Sequence, residues 1–291
     1  LFGDLAMRQS NDLDLLTSPS DLLAAEQVLF QAGYRRTLPD FDLSPRQQQA
    51  YRLISPNYCY AHSDKKVMVE LHWYPFSNPY LLSPDQTAAM MDRSIQIPLA
   101  GSNVRTLSPE DTLLYLLLHG AKHRWFRLKW LCDIAAMLRN SGQIDFDRLA
   151  HRMQADGLSM PLQQGMTLVH DLLNASLPDD LPVWASSSPR SAHSSAVAVT
   201  AMLKSEAETA APGRLHLILN GFYLMSLKKD WRYRWVTLYG RSWLTPLDWK
   251  TLRLPDGLFF LYYPLRPLLW AWRWHLGPFV HRLTHRSVND R

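Results

Sequence analysis

Apolar and polar residues alternate near the start of the chain, in the segment Asp12–Leu16 (DLDLL). This period of two predicts a short strand and places Asp12 and Asp14 on the same face of it. A helix is predicted directly afterwards, beginning at the N-cap residue Ser18 and ending at Gly33. The two carboxylates therefore lie near the beginning of a strand–helix unit.

A second strand is predicted over Lys65–Trp73 (KKVMVELHW), because valine is enriched in strands. Glu70 lies in the middle of this segment and shares a face with Met68 and His72. A charged residue is unusual at such a position unless it is paired or functional. A further strand is predicted in the Pro-rich region that follows, at SIQIPL.

From residue 106 onward the pattern predicts mostly helices. Ser108 is the predicted N-cap of a long helix or helix pair that ends near Gly142, and two more helices follow. Pro178–Pro189 is rich in Pro, Ser and Asp, which is typical of a linker. We therefore predict an α+β core in residues 1–105, a helical domain in residues 106–180 and a helical, basic and aromatic region in residues 190–291.

The composition of the 291 residues, 47% hydrophobic and 20% charged, is that of a globular protein and excludes a disordered chain. Cys59 and Cys132 are far apart and have no partners at metal-ligand spacing. We therefore expect a reducing, cytoplasmic compartment without a disulfide framework. No signal-peptide pattern is present at the start. Because the first residue is Leu1 and not Met, we expect the sequence to be a fragment.

The net charge of +5 is concentrated at one end of the chain. From Lys228 to Arg291 there are twelve Lys or Arg against four Asp, and seven of the eleven tryptophans. Such a segment is typical of surfaces that face nucleic acid, phosphate-rich ligands or a membrane. A helical core with arginines at its edge has the same composition. The segment contains no sequence-specific nucleic-acid motif.

The apolar stretch Leu258–Val280 is long enough to raise the question of a membrane span. Its prolines and charged residues disfavour a spanning helix. Two alternatives stay open. One is a buried C-terminal helix, and the other is an interfacial helix that makes peripheral membrane contact through Trp270, Trp272 and Trp274.

The paired aspartates favour a metal site. Two carboxylates two residues apart on a strand repel each other, and burying them unpaired costs several kcal/mol. They are stabilised by divalent cations, and two ions about 3.5–4 Å apart suit nucleotidyl transfer. Glu70 offers a third carboxylate, and Arg8 could meet a phosphate or pair with an aspartate. The structural alternative is an exposed edge strand whose polar face lies in water.

Three segments, in this order and spacing, carry a resemblance to a known family: LFGDLAMRQSNDLDLL, VMVELHW and LSPEDTLLYLLLHGAKHRWFRLKWLCDIA. They resemble the uncharacterised bacterial nucleotidyltransferase family of the DNA polymerase β superfamily. The third segment is the most specific, because Asp-x-Asp alone is common. The resemblance covers Leu1 to Leu177 and extends more loosely into the tail.

This resemblance implies a polymerase β-like fold of class α+β, in which a small mixed sheet with helices is followed by a mostly helical region. It also implies Mg²⁺ or Mn²⁺ held by Asp12, Asp14 and Glu70, and a nucleoside triphosphate donor such as ATP. The superfamily's phosphate-binding glycine turn lies well before the first aspartate. Gly3 is too close to Asp12 for that role, so we expect the turn upstream of Leu1.

The segment HGAKHRW places His119, Lys122 and His123 on one stripe of a helix. The two histidines have the spacing of zinc ligands, but Gly120 takes the place of the glutamate that such motifs carry, and the surrounding cations repel a metal ion. We interpret the segment as a positive, partly aromatic wall that binds phosphates or an acceptor. The structural alternative is a packed helix bundle in which His119 bonds to Asp133.

These observations predict a metal-dependent nucleotidyltransferase that moves a nucleoside monophosphate from an NTP to a small-molecule or carrier acceptor. Asp12, Asp14 and Glu70 are the predicted catalytic and metal-binding residues. Two alternatives stay open. The first is a non-catalytic nucleotide-binding or scaffold module that retains the fold, and the second is a component of a toxin–antitoxin-type pair.

Overall fold

The computed structural model describes residues 10, 12–140, 142, 144–203, 214–240 and 244–273. Their contacts form two compact units. The first, called the sheet unit, contains residues 10–77 and the described residues from 240 on; the second, called the helical unit, contains residues 78–239. The three regions predicted from the sequence have other boundaries and stay a prediction.

The secondary structure alternates strands and helices at first and is then helical. The strands are β1 (Asp12–Leu16), β2 (Tyr34–Leu38), β3 (Asn57–His62), β4 (Met68–His72), β5 (Ile95–Leu99) and β6 (Ser102–Thr106). The helices are α1 (Leu22–Gln31), α2 (Pro45–Ile54), α3 (Pro84–Asp92), α4 (Pro109–Lys122), α5 (Lys129–Arg139), α6 (Phe146–Ala155), α7 (Ser159–Leu173), α8 (Val183–Ser186), α9 (Pro189–Leu203), α10 (Arg214–Ser226), α11 (Trp231–Tyr239), α12 (Pro246–Thr251) and α13 (Tyr262–Ala271), with a 3₁₀ helix at Asp256–Leu261 before the last.

The sheet unit contains a four-stranded mixed sheet in the order β1-β4-β3-β2. Strands β1 and β4 are parallel, whereas β3 is antiparallel to both β4 and β2. Helix α1 follows β1, and α2 begins at a capping box in which Ser44 and Gln47 bond to each other's backbone. The predicted α+β class, a small mixed sheet with helices followed by a helical region, is confirmed.

One face of this sheet is covered by the hydrophobic core. Tyr58 and Tyr60 of β3 lie opposite Leu71 and Val69 of β4, and all four side chains are buried in the core cluster. Tyr51 of α2 stacks on Tyr58 with ring centroids 5.1 Å apart. Because side chains alternate along a strand, the residues between them point to the opposite face. That face carries the carboxylates.

The C-terminal segment completes the core of the sheet unit. Trp249, Phe259 and Tyr262 are all buried in it, and the Tyr262 hydroxyl donates to the Leu252 carbonyl at 2.6 Å. The inner side of α13 is therefore packed in the core of the sheet unit, which favours the buried-helix alternative. Its outer side exposes large side chains, Tyr263, Leu268, Trp270 and Trp272.

Peripheral membrane contact through this segment stays a prediction, and Trp274 to Val280 lie outside the described residues. Within the described part of the chain, every helix is too short or too polar to cross a bilayer.

The core of the helical unit is built around α4 and α7, which carry two glycines at points of close approach. A Cβ on Gly120 would lie 2.2 Å from the ring of Trp125, and one on Gly165 would lie 2.3 Å from the side chain of Leu117. Trp125 is fully buried although its backbone is left-handed, with φ at 55°. Gly120, the glycine of HGAKHRW, is therefore needed for the Trp125 ring to pack against α4.

The start of α4 is held by a buried ion-pair network. As predicted, Ser108 is its N-cap and its hydroxyl accepts from the Asp111 N–H at 3.2 Å. The Asp111 carboxylate is completely buried and accepts from Arg93 and Arg152 at 2.9 Å. Burial opposes the ionisation of this carboxyl, but the hydrogen bonds and charges of the two arginines outweigh it and lower its pKa.

Three local predictions need correction. Helix α1 begins at Leu22 and not directly after Ser18, because Ser18 instead closes a turn in which its carbonyl accepts from the Asp21 N–H at 3.1 Å. Strand β4 is limited to Met68–His72, since the lysines before it are exposed and unpaired with the sheet. The predicted linker at 178–189 contains the short helix α8.

Candidate functional site

The strand register brings two of the predicted carboxylates together. Asp14 of β1 lies directly opposite Glu70 of β4, and Asp12 lies opposite Met68. In a parallel pair, residues at matching positions point to the same face. Asp14 and Glu70 therefore stand side by side on the face of the sheet that the core does not cover.

His72, two residues after Glu70 on the same strand and face, lies between these carboxylates. Its Nε2 is 3.4 Å from Asp14 Oδ1 and 3.2 Å from Glu70 Oε2. Its other ring nitrogen, Nδ1, is 3.3 Å from the Tyr74 carbonyl oxygen. The side-chain amide of Asn57 donates to Glu70 Oε2 at 2.8 Å. Contacts on both sides thus orient the imidazole and the Glu70 carboxylate.

The electrostatics of His72 follow from these contacts. Burial alone lowers the pKa of a histidine, since it disfavours the charged form. Here the hydrogen bonds and negative charges of Asp14 and Glu70 outweigh burial and raise the pKa of His72 to about 9. The ring is therefore an imidazolium at neutral pH, and its positive charge balances two adjacent carboxylates.

These three residues are suited to hold a metal ion. One ligand atom from each of Asp14, Glu70 and His72 lies within 4.8 Å of the others. Carboxylate oxygens suit Mg²⁺ and Mn²⁺, and an imidazole nitrogen suits Mn²⁺, Zn²⁺ and other transition metals. The contact of Nδ1 with a backbone carbonyl resembles the outer contact that fixes the ring of a metal-ligating histidine. The donor set therefore fits a divalent cation.

Asp12 lies on the same face of β1 but has different contacts. It is exposed, and its Oδ1 accepts a hydrogen bond from Ser10 Oγ at 3.0 Å. It does not belong to the three-residue cluster found among the described residues. Its role as a metal ligand stays a prediction, and Arg8 lies outside the described residues.

His72 and Asn57 are site residues that were not predicted from the sequence. The Glu-x-His spacing on a predicted strand was a signal for His72, because residues i and i+2 share a face. No comparable signal existed for Asn57. It reaches Glu70 only because β3 pairs with β4 in a register that places Asn57 opposite His72.

The histidines of HGAKHRW belong to the helical unit and lie in an aromatic cluster. The rings of His119 and His123 have centroids 4.7 Å apart, and each is within 5.4 Å of the Trp130 ring. Burial, and then the charges of His119, Lys122 and Arg127, lower the pKa of His123 to about 3. These contacts favour the packing alternative. The binding roles of His119, Lys122 and His123 stay predictions.

Comparison with known proteins gives one match. A family model described as uncharacterised nucleotidyltransferase matches residues 1–174, which is more than half of the chain. The matched range includes Asp12, Asp14, Glu70, His72 and the segment HGAKHRW. No curated protein and no solved structure matches the chain.

Proposed function

This chain belongs to the uncharacterised nucleotidyltransferase family, and from that premise we propose that it is a metal-dependent enzyme that moves a nucleoside monophosphate from an NTP to a small-molecule or carrier acceptor. The observation that carries the proposal is the cluster of Asp14, Glu70 and His72 on the open face of the mixed sheet. Nucleotidyl transfer needs a cation at such a cluster.

Each residue has a defined role in this proposal. Asp14, Glu70 and His72 hold the cation, which when bound activates the attacking oxygen and steadies the departing pyrophosphate. Glu70 also accepts the proton of the attacking hydroxyl or amine. Asn57 orients Glu70 through its hydrogen bond to Oε2. Asp12, exposed on the same face, contributes to a second cation position.

The finer assignments extend this proposal. The cation is Mg²⁺ or Mn²⁺, and the donor is ATP or another NTP. Arg8, His119, Lys122 and His123 contact the triphosphate or the acceptor through their positive or polar side chains. Since the contacts of His119 and His123 favour packing, Lys122 is the most informative of these four residues to substitute.

The proposal is tested by coupled binding of metal and nucleotide. Isothermal titration of a non-hydrolysable NTP analogue should show binding in Mn²⁺ or Mg²⁺ that is lost in EDTA. Asp14→Asn and Glu70→Gln should each weaken this metal-dependent binding at least tenfold, because each removes one charged ligand. Asp64→Asn is the matched control, since Asp64 is an exposed carboxylate on the loop between β3 and β4.

Two results would count against the proposal. Nucleotide affinity that is equal with metal and with EDTA would exclude a metal-dependent site. An unchanged nucleotide affinity in Asp14→Asn and Glu70→Gln would mean that these carboxylates lie on an exposed strand in water and do not bind a cation. Tight metal–nucleotide binding without pyrophosphate release over a broad acceptor screen would instead favour the non-catalytic nucleotide-binding alternative.

A further inference from the structure

The helical unit contains a large, partly open cavity of about 1240 Å³ that the nucleotidyltransferase proposal does not use. Its walls come from helices α6 to α11, from the turn at Arg124 and from the loop that precedes α11. We propose that this cavity binds an amphipathic anion, a small molecule with an extended apolar body that ends in a phosphate or a carboxylate. The proposal does not depend on chemistry at Asp14, Glu70 or His72.

The size and surface of the cavity indicate the apolar body. Ligand pockets commonly enclose about 300–1,000 Å³ and are lined mainly by apolar side chains, so this cavity exceeds the usual range. Met160 of α7, Val197 of α9 and Phe222 of α10 lie on its wall. Phe222 is 64% exposed, an unfavourable state for a phenylalanine that an apolar ligand would relieve.

Several polar side chains of the wall are engaged with the protein itself. The Tyr223 hydroxyl lies 2.9 Å from both the Ala121 carbonyl and Gln164 Oε1. The Gln163 amide donates to the Trp184 carbonyl at 2.6 Å and accepts from Ser188 Oγ at 2.9 Å. These groups do not need a partner from the ligand, so they present a wall that tolerates an apolar body.

The charge of the cavity indicates an anion. Arg124, Lys229 and Arg234 lie on its wall, and the described lining residues include no Asp or Glu. The nearby carboxylate of Asp230 is engaged at the start of α11, where it accepts from the backbone N–H groups of Arg232 and Tyr233 at 2.7 and 3.2 Å. Three cations on the wall, without a carboxylate among the described lining residues, favour a phosphate or carboxylate ligand.

The backbone of one of these cationic residues is held by a hydrogen bond. The Lys229 N–H donates to the Gly157 carbonyl at 3.1 Å, and Gly157 has the left-handed φ of 74° that glycine tolerates best. This bond ties the start of α11 to the end of α6. The main chain of Lys229 is therefore held at the cavity wall, and its side chain is free of the cost of ordering a loop on binding.

The experiment measures the binding of four decyl probes and inorganic phosphate to the full chain by isothermal titration, below the micelle concentration of each probe. Decyl phosphate and decanoate should bind, and the tighter of the two identifies the preferred headgroup. Decanol, decyltrimethylammonium and inorganic phosphate should bind at least tenfold more weakly, because each lacks one of the two features.

Variants separate this site from non-specific attraction to a basic protein. Lys229→Gln and Arg234→Gln should each weaken anion binding about tenfold, which is the value of one charge-assisted contact. Arg232→Gln is the matched control on α11, since Arg232 is exposed and lies outside the cavity wall. Thr200→Trp places a large ring at the cavity wall and should weaken decyl phosphate and decanol alike.

Three results would overturn the inference. The first is an equal affinity for decanol and for the two anions, and the second is an equal affinity of the Lys229, Arg234 and Arg232 variants for decyl phosphate. The third is no binding of any decyl probe by a chain with an unchanged melting curve. Asp14→Asn should bind decyl phosphate as the parent does. The proposal for the cavity and the proposal for the metal site can therefore be refuted independently of each other.

Discussion

At the scale of single residues, His72 explains how two carboxylates can stand side by side on neighbouring strands. Asp14 and Glu70 occupy matching positions of a parallel pair, where like charges repel. The imidazolium of His72 contacts both and supplies the positive charge that offsets this repulsion. A divalent cation would supply more charge at the same place while Nε2, once deprotonated, becomes a ligand.

Substitution of His72 should therefore change metal preference. We expect His72→Gln to weaken Mn²⁺ binding by about ten- to a hundredfold and Mg²⁺ binding by less, because Mg²⁺ prefers oxygen ligands and Gln retains an oxygen. Titration calorimetry of both ions measures the two affinities. His170→Gln, at an exposed histidine of α7, is the control. An equal loss for both ions would show that His72 only orients the carboxylates.

His123, in the aromatic cluster of the helical unit, should make the free energy of unfolding depend on pH. His123 has a folded-state pKa of about 3, well below the unfolded value of about 6.5. The unfolded chain therefore binds more protons in this window, so His123 contributes stability above pH 6.5 that is lost as the pH falls towards 3.

Urea unfolding of the parent and of His123→Gln between pH 7 and pH 4 tests this prediction. The variant should have a lower free energy of unfolding at pH 7, because packing is disturbed. Its free energy of unfolding should also fall less steeply than that of the parent as the pH is lowered. Parallel curves for the two proteins would mean that the ring of His123 is freely protonated in the folded state.

At the scale of elements, local sequence signals located β1, β4, β5 and several helices, did not locate β2, α2 and β3, and misjudged some ends. Ser108 caps α4 as predicted, because its hydroxyl meets a free N–H three residues later. Ser18 meets the same kind of N–H, that of Asp21, yet closes only a turn before α1. The two environments differ in the packing that follows, and this is not visible in the local pattern.

The packing of α4 against the Trp125 turn depends on a glycine. Gly120→Ala should destabilise the protein by about 1–3 kcal/mol, because the added methyl group overlaps the buried Trp125 ring and the core cannot move aside. Urea denaturation gives the free energy of unfolding. Gly221→Ala on α10 is the matched control, since its Cβ would meet nothing within 4 Å and alanine favours a helix. Equal effects at the two glycines would contradict the close approach.

At the scale of the whole molecule, the sheet unit is built from two parts of the chain that are far apart in sequence. Residues 10–77 provide the strands and the cluster of Asp14, Glu70 and His72, whereas α12, the 3₁₀ helix and α13 provide buried aromatic side chains. Asp248 of α12 is completely buried and paired with Arg273 at 2.7 Å. The strands that carry Asp14, Glu70 and His72 therefore share their core with a segment outside the range that the family model matches.

A core substitution in this distant segment should weaken the site. Trp249→Ala should lower the free energy of unfolding by about 3–5 kcal/mol, as expected for a fully buried tryptophan. Mn²⁺ binding should be lost at a lower temperature than in the parent, measured by titration during stepwise heating. Trp235→Ala is the control, since Trp235 is 58% exposed on α11. Unchanged Mn²⁺ binding in an unfolded Trp249 variant would contradict this dependence.

The sequence by itself determined β1 and β4, the two strands that carry the candidate carboxylates, and which of their residues share a face. The alternation in DLDLL predicted β1, and the valine content of KKVMVELHW predicted β4. Side-chain direction along a strand is a local property, so the sequence also placed Asp14 on the face of Asp12, and Glu70 on the face of Met68 and His72. Only the tertiary structure decided that Asp14 and not Asp12 lies opposite Glu70, that His72 and Asn57 join them, and that Trp249 packs under the same sheet. Non-local contacts set the strand order, the register and the packing of the segment around Trp249, some two hundred residues away, against the sheet. A local pattern does not contain such contacts.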